Sequence, residues 1–103
     1  MERTFQLAEI NALKNLENYI SQVHPICKVY IFGSFLWSNR WNDIDILIVY
    51  DEYHSCFAIK NFIISNFFDI PFDLLFLTHE EELKLNFIIK KNAREIRTIN
   101  ELR

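Results

Sequence analysis

Glycine is almost missing from this chain. Gly33 is the only one in 103 residues, so a single position has full backbone freedom, and a tight turn or a close backbone approach is expected there. Proline is nearly as scarce, with Pro25 and Pro71 alone, and no linker, repeat or low-complexity segment interrupts the sequence. The two cysteines, Cys27 and Cys56, lie in apolar stretches and show no Cys-x-x-Cys or Cys/His ligand spacing. They read as small buried hydrophobes, and a zinc site is not expected. Apolar runs are far too short to span a bilayer. The start, Met1-Glu2-Arg3-Thr4, lacks the basic-then-apolar pattern of a secretory leader. A cytoplasmic, reduced protein with no membrane partner is the expectation. An excess of positive charge is also absent. The net charge is −3, so non-specific nucleic-acid binding is not the first reading. Lys84, Lys90, Lys91, Arg94, Arg97 and Arg103 hold six of the eleven basic residues. They are interleaved with acids and read as a solvated helix face, with a phosphate or RNA patch as the second reading.

Apolar residues are what the chain has in quantity. Half of it is hydrophobic, with ten Phe, four Tyr and two Trp. That supplies one domain over residues 1–103 with an ample core, and more apolar surface than so small a domain readily hides. Thr4 is placed to cap a first helix whose apolar residues, Phe5, Ala8, Ala12, Leu16, Tyr19 and Val23, recur at helical spacing until Pro25. Residues 27–32 read as a short buried strand and residues 35–41 as a turn or short helix. Residues 44–50, apolar on both faces, read as a central strand. Residues 53–68 form a helix with apolar side chains around more than half its circumference. Pro71 introduces a third strand, 72–77, and Thr78-His79-Glu80-Glu81 reads as a capping box that opens a final helix. The tail from residue 92 is either a short extra element or a frayed end. The pattern predicts an α/β fold, a small mixed β-sheet flanked by helices.

The chemistry collects at two strand ends. Gly33-Ser34 directly follows the first strand, and Asp43-Ile44-Asp45 opens the second. Strand side chains alternate, so Asp43 and Asp45 share one face with Leu47 and Val49. In the third strand Asp73 aligns with Leu75 and Leu77, and if the strands are neighbours it stands beside that pair. Taken singly, an Asp-x-Asp is a strand-edge pair, Gly-Ser is a turn, and Asp73 caps or faces solvent. Taken together, three crowded carboxylates repel one another and lose solvation, and Arg40 is the one cation nearby. Divalent metal is the simpler compensation. Carboxylates plus substrate phosphates are the usual magnesium environment, and two ions would activate an attacking oxygen and stabilise leaving pyrophosphate.

In this order, Gly33-Ser34, Asp43-Ile44-Asp45 and Asp73 within Phe-Asp-Leu-Leu-Phe-Leu resemble the nucleotidyltransferase superfamily that includes DNA polymerase beta. Within it the chain is similar to the small stand-alone minimal nucleotidyltransferases of prokaryotes, over about residues 25–95. The resemblance implies a polymerase beta-like fold in which Gly33 and Ser34 hold the triphosphate of ATP. It also implies that Asp43 and Asp45 bind both magnesium ions, while Asp73 binds one ion and helps deprotonate the acceptor hydroxyl. One departure is the loop. Eight residues separate Ser34 from Asp43, and Phe35, Leu36, Trp37 and Trp41 make it bulky.

Larger members of that superfamily add domains that select base and acceptor. Here the acceptor is expected from another molecule or from a second copy. Minimal nucleotidyltransferases include antitoxins paired with HEPN-domain ribonuclease toxins, some of which move AMP from ATP to a toxin tyrosine. The resemblance therefore implies AMP transfer to a HEPN-like partner or to an RNA hydroxyl. The alternative is a weakly catalytic module that neutralises or assembles with its partner by contact. The wide apolar faces of the last two helices predict a homodimer or a partner complex. Trp37 and Trp41 either stack on a base or a partner, or fold back over the core, the favoured reading. His24, His54 and His79 fall at element ends, and Ser34 lacks the elbow and ordered partners of a hydrolase nucleophile. Tyr19, Tyr30 and Tyr50 read as packing residues, and Tyr53 as an acceptor for self-modification.

Overall fold

The computed structural model describes residues 7–38 and 42–99. Thr4, Phe5, Arg40, Trp41 and Arg103 lie outside them. The chain runs α1 (Leu7–Val23), β1 (Lys28–Phe32), α2 (Ser34–Trp37), β2 (Ile44–Tyr50), α3 (Tyr53–Asn66), β3 (Phe72–Thr78), α4 (His79–Leu85), α5 (Phe87–Lys90) and β4 (Arg94–Glu95), with a 3-10 turn at Ile96–Thr98. One four-stranded sheet in the order β3-β2-β1-β4 carries the rest. β1 is antiparallel to β2 and to β4, whereas β2 and β3 are parallel. The sheet is mixed, and α3 is the crossover that a parallel pair requires. No helix among the described residues is long and apolar enough to cross a membrane.

Alternation along β2 creates two cores. Ile44, Ile46 and Ile48 point to the face covered by α1 and α3, where Leu13, Leu16, Ile20, Ile59 and Ile63 meet Val29 and Ile31 of β1. Leu47 and Val49 point the other way and join Leu77, Phe32, Leu75, Phe87 and Ile88 in a smaller cluster. α4 and α5 partly cover this second face. Thr78 Oγ1 accepts from the Glu81 amide at 3.1 Å and the Thr78 amide donates to Glu81 Oε1 at 2.9 Å, the expected capping box.

Several local expectations need correction. The buried side of α1 is Glu9, Ala12, Leu13, Leu16 and Ile20, while Ala8 and Val23 face solvent. The stripe is turned from the expected one because Leu13 and Ile20, with Ala12 and Leu16, are the side chains that join Val29 and Ile31 of β1 in the core. α3 ends at Asn66, not 68, where Phe67 leaves helical geometry. The final helix is two pieces, broken at Asn86 with φ 53°. Of the two readings left open for the tail, its described part, residues 92–99, takes the short extra element. Ile96 and Ile99 are buried in the main core, and Arg97 Nε lies 3.0 Å from Glu95 Oε2 and 3.9 Å from Glu17 Oε1 of α1.

Burial therefore separates side chains that composition treats alike. Ile46 is fully buried and Phe68 is 84% exposed. Ile46→Ala should cost about 2–5 kcal/mol of unfolding free energy, whereas Phe68→Ser should stay within about 0.5 kcal/mol of the parent. Urea unfolding of both variants checks this, and comparable losses would contradict the assignment.

Candidate active site

The two strand aspartates of the sheet, Asp45 and Asp73, gather at one end. Asp45 is the second residue of β2 and lies opposite Phe32, the last residue of β1. In the parallel register Asp45 pairs with Asp73 of β3. The Ile44 amide donates to the Pro71 carbonyl at 2.9 Å and continues that register to the strand mouth. In-register neighbours share a face, so the two carboxylates stand side by side on the face of the smaller cluster. Asp43 sits one residue before β2 and is exposed. Adjacent strands are about 4.8 Å apart, and residues i and i+2 along one strand are about 6.6 Å apart. That is why the close partner of Asp45 is Asp73 and not Asp43.

The electrostatics follow from this crowding. Asp45 is half-buried, and burial is the leading cause that pushes its carboxyl above the ordinary value of 3.8. The Asp73 charge, a hydrogen bond shared with Asp73, and the Asp43 charge add to it. Gly33 closes the site from β1. Its backbone is at φ 78° and ψ −163°, a region that side chains with a Cβ rarely enter. A Cβ built there would collide with Asp45 Oδ2 and stand 3.2 Å from Cγ. The one glycine is thus required both by its conformation and by the carboxylate pressed against it. Ser34 follows as the exposed first residue of α2. The turn is held by the Leu36 amide donating to the Gly33 carbonyl at 3.2 Å and the Ser38 amide donating to the Ser34 carbonyl at 2.9 Å.

Among the described residues, no three His, Cys, Asp or Glu side chains stand together as a ready metal site. The donor set still suits magnesium, which takes one or two carboxylates and completes its shell with water and substrate phosphates. Asp45 and Asp73 are such a pair, and their mutual repulsion is what a bound cation relieves.

The other candidates disperse. Tyr19 Oη lies 3.1 Å from His24 Nε2, and its ring stacks on Phe62 at 3.9 Å. His54 pairs with Glu52 at 3.0 Å, and His79 starts α4 in solvent. Cys27 is buried and Cys56 half-buried. Trp37 does not fold back over the core. It is 61% exposed and lines an open cleft with Ile88, Ile89, Asn92, Ala93 and Arg94. Reading by sequence missed this cleft, because its two walls are about fifty residues apart in the chain and meet through β1, β4 and α5.

The raised carboxyl carries a sign that can be measured. The folded protein holds the Asp45 proton more tightly than the unfolded chain. That proton's stabilisation is complete below 3.8 and is lost as pH rises through the raised folded value. Asp45→Asn removes the penalty, so its stability advantage over the parent should grow from about pH 4 to pH 7 in metal-free buffer. Urea unfolding across that range tests it, and an advantage that shrinks with pH would overturn the assignment. Gly33→Ala should lower stability by about 1–3 kcal/mol through its backbone conformation, and should displace the Asp45 carboxylate. A Gly33→Ala variant with parental stability would refute the positive-φ requirement.

The chain matches the family model described as polymerase beta, nucleotidyltransferase, over residues 14–101. A comparison with curated proteins gave no match. The family match takes in Gly33, Ser34, Asp43, Asp45 and Asp73 and nearly every element of the fold. The chain belongs to the polymerase beta nucleotidyltransferase family.

Proposed function

We propose that this protein is a magnesium-dependent nucleotidyltransferase that moves AMP from ATP to a hydroxyl of a partner protein or of RNA. The observation that carries this reading is the Asp45–Asp73 pair pressed against the Gly33 turn. The turn brings backbone close to a ligand with no side chain in the way, which suits a triphosphate. Ser34 offers a hydroxyl beside it. Asp45 and Asp73, with Asp43 at the strand mouth, would hold magnesium, which neutralises phosphate charge and lowers the pKa of an acceptor hydroxyl when bound. The acceptor oxygen attacks the α-phosphorus, the bond to pyrophosphate breaks, and a carboxylate oxygen of Asp73, the more exposed of the close pair, receives the hydroxyl proton.

The acceptor's carrier is proposed to dock on apolar surface. Tyr53, Phe57 and Ile64 are each more than half exposed and fall within about 40° of one another around α3. Phe68 follows at the helix end, and Leu83, Leu85 and Ile89 are exposed as well. Surface of this kind suits a second copy or a HEPN-like helical partner. It equally serves the second reading, a weakly catalytic module that neutralises its partner by contact.

Incubation with α-labelled ATP and magnesium, in turn with RNA, with the chain alone and with a helical protein encoded beside it, should label one acceptor. Asp45→Asn and Asp73→Asn should each reduce labelling by roughly 10²-fold or more. Undiminished labelling in either variant would sink the mechanism. Tight partner binding without labelling would favour the contact module.

A further inference from the structure

The cleft at Trp37 takes no part in the phosphate chemistry, yet Trp37 stands on the short helix that leaves the same turn. Tryptophan is a highly buried residue on average, and this one is 61% exposed on a helix that begins at Ser34. Trp37 stands four residues after Gly33, about one helical turn or 6 Å along the axis. The facing wall is Ile88 and Ile89 of α5, and the rim is Asn92, Ala93 and Arg94. The cleft measures about 630 Å³, within the range of small-molecule sites.

This rim is built and not incidental. The Asn92 amide donates to the Ile89 carbonyl at 3.2 Å and the Ala93 amide to the Ile88 carbonyl at 2.9 Å. Arg94 then pairs with Ile31 in the edge ladder of the sheet. Ile88 also packs with Leu47 and Val49 on the face that carries Asp45. One element thus connects the cleft to the carboxylate face, and Gly33 leads into both. A nucleotide whose phosphates lie at Gly33 has only its ribose between them and the base, which brings the base within reach of Trp37.

We propose that this cleft holds the nucleobase of the nucleoside triphosphate, stacked on the Trp37 indole between the apolar wall of Ile88 and Ile89. Asn92 and Arg94 supply donors at the base edge. The proposal rests on the reading of the Gly33 turn as a phosphate site. Stacking is tolerant of sequence because every base has a π face, so Trp37 contributes affinity for nucleosides as a class, and choice among bases falls to the rim.

Calorimetric titration of the whole chain with magnesium ATP and with magnesium tripolyphosphate separates the two readings. Trp37→Leu should weaken ATP binding roughly tenfold, the order set by base–aromatic stacking. Trp37→Phe should restore most of it. Tripolyphosphate should bind the parent and both variants equally, which also reports that the fold and phosphate turn are intact. Equal ATP affinity in Trp37→Leu and parent, with tripolyphosphate still bound, would overturn the base subsite and leave the phosphate reading standing. Parallel loss of ATP and tripolyphosphate affinity in Trp37→Leu would overturn it too, since that is a structural role. Absence of tripolyphosphate binding to the parent, with ATP bound, would overturn the phosphate reading and this proposal with it. If ATP affinity is unchanged and only transfer to the acceptor falls, the cleft belongs to the acceptor and the proposal fails.

Discussion

Two carboxylates stand side by side at the head of β2 and β3, two strands that are otherwise mostly apolar. A folded protein avoids that arrangement unless something offsets it. Asp45 and Asp73 are held in parallel register by the β2–β3 ladder, and neither strand can slip by one residue to separate them. Such a slip would carry Ile46, Leu74 and the rest of the main-core face to the opposite side. The hydrophobic core therefore enforces the like-charge contact. The raised carboxyl of Asp45 is the measurable trace of that enforcement, and a cation or a proton is what relaxes it.

The same constraint explains the placement of the single glycine. β1 ends at Phe32, opposite Asp45, so the next residue must turn away within reach of that carboxylate. Any Cβ at position 33 would enter the space that Asp45 Oδ2 occupies, and the backbone there lies at positive φ. Glycine is costly elsewhere in a small domain because of its unfolded-state freedom. This chain uses it only where both sterics and conformation demand it. α2 then carries Trp37 to its open cleft, where α5 and β4 supply the opposite wall.

The tail makes that wall possible. Ile96 and Ile99 sink into the main core, and Glu95 forms ion pairs with Lys28 of β1 at 3.7 Å and with Arg97 at 3.0 Å. These pairs are partly exposed and individually weak. The buried isoleucines hold the segment, while the charges orient it. The tail is thereby tied to β1 and to α1. Apolar side chains stay in solvent on both sides of the sheet, Leu83, Leu85 and Ile89 on α4 and α5, and Tyr53, Phe57 and Ile64 on α3 with Phe68 just after it.

Sequence periodicity by itself determined the three long strands, the first and third helices and the capping box at Thr78, because each expresses a local rule of spacing or hydrogen bonding. It also put Gly33, Asp43, Asp45 and Asp73 at strand ends, since alternation assigns a face without knowledge of neighbours. Tertiary structure decided the rest. β4 is two polar residues, Arg94 and Glu95, and has no period to detect; it exists because β1 offers an open edge. The burial face of α1 depends on what β1 and the tail present to it. The Asp45–Asp73 contact needs the choice of β3 as the parallel neighbour of β2. The exposure of Trp37 and the cleft it lines depend on segments about fifty residues apart that are brought together by the pairing of β4 with β1. Local sequence sets propensities and faces, but proximity between distant segments is settled only when the sheet order closes the core.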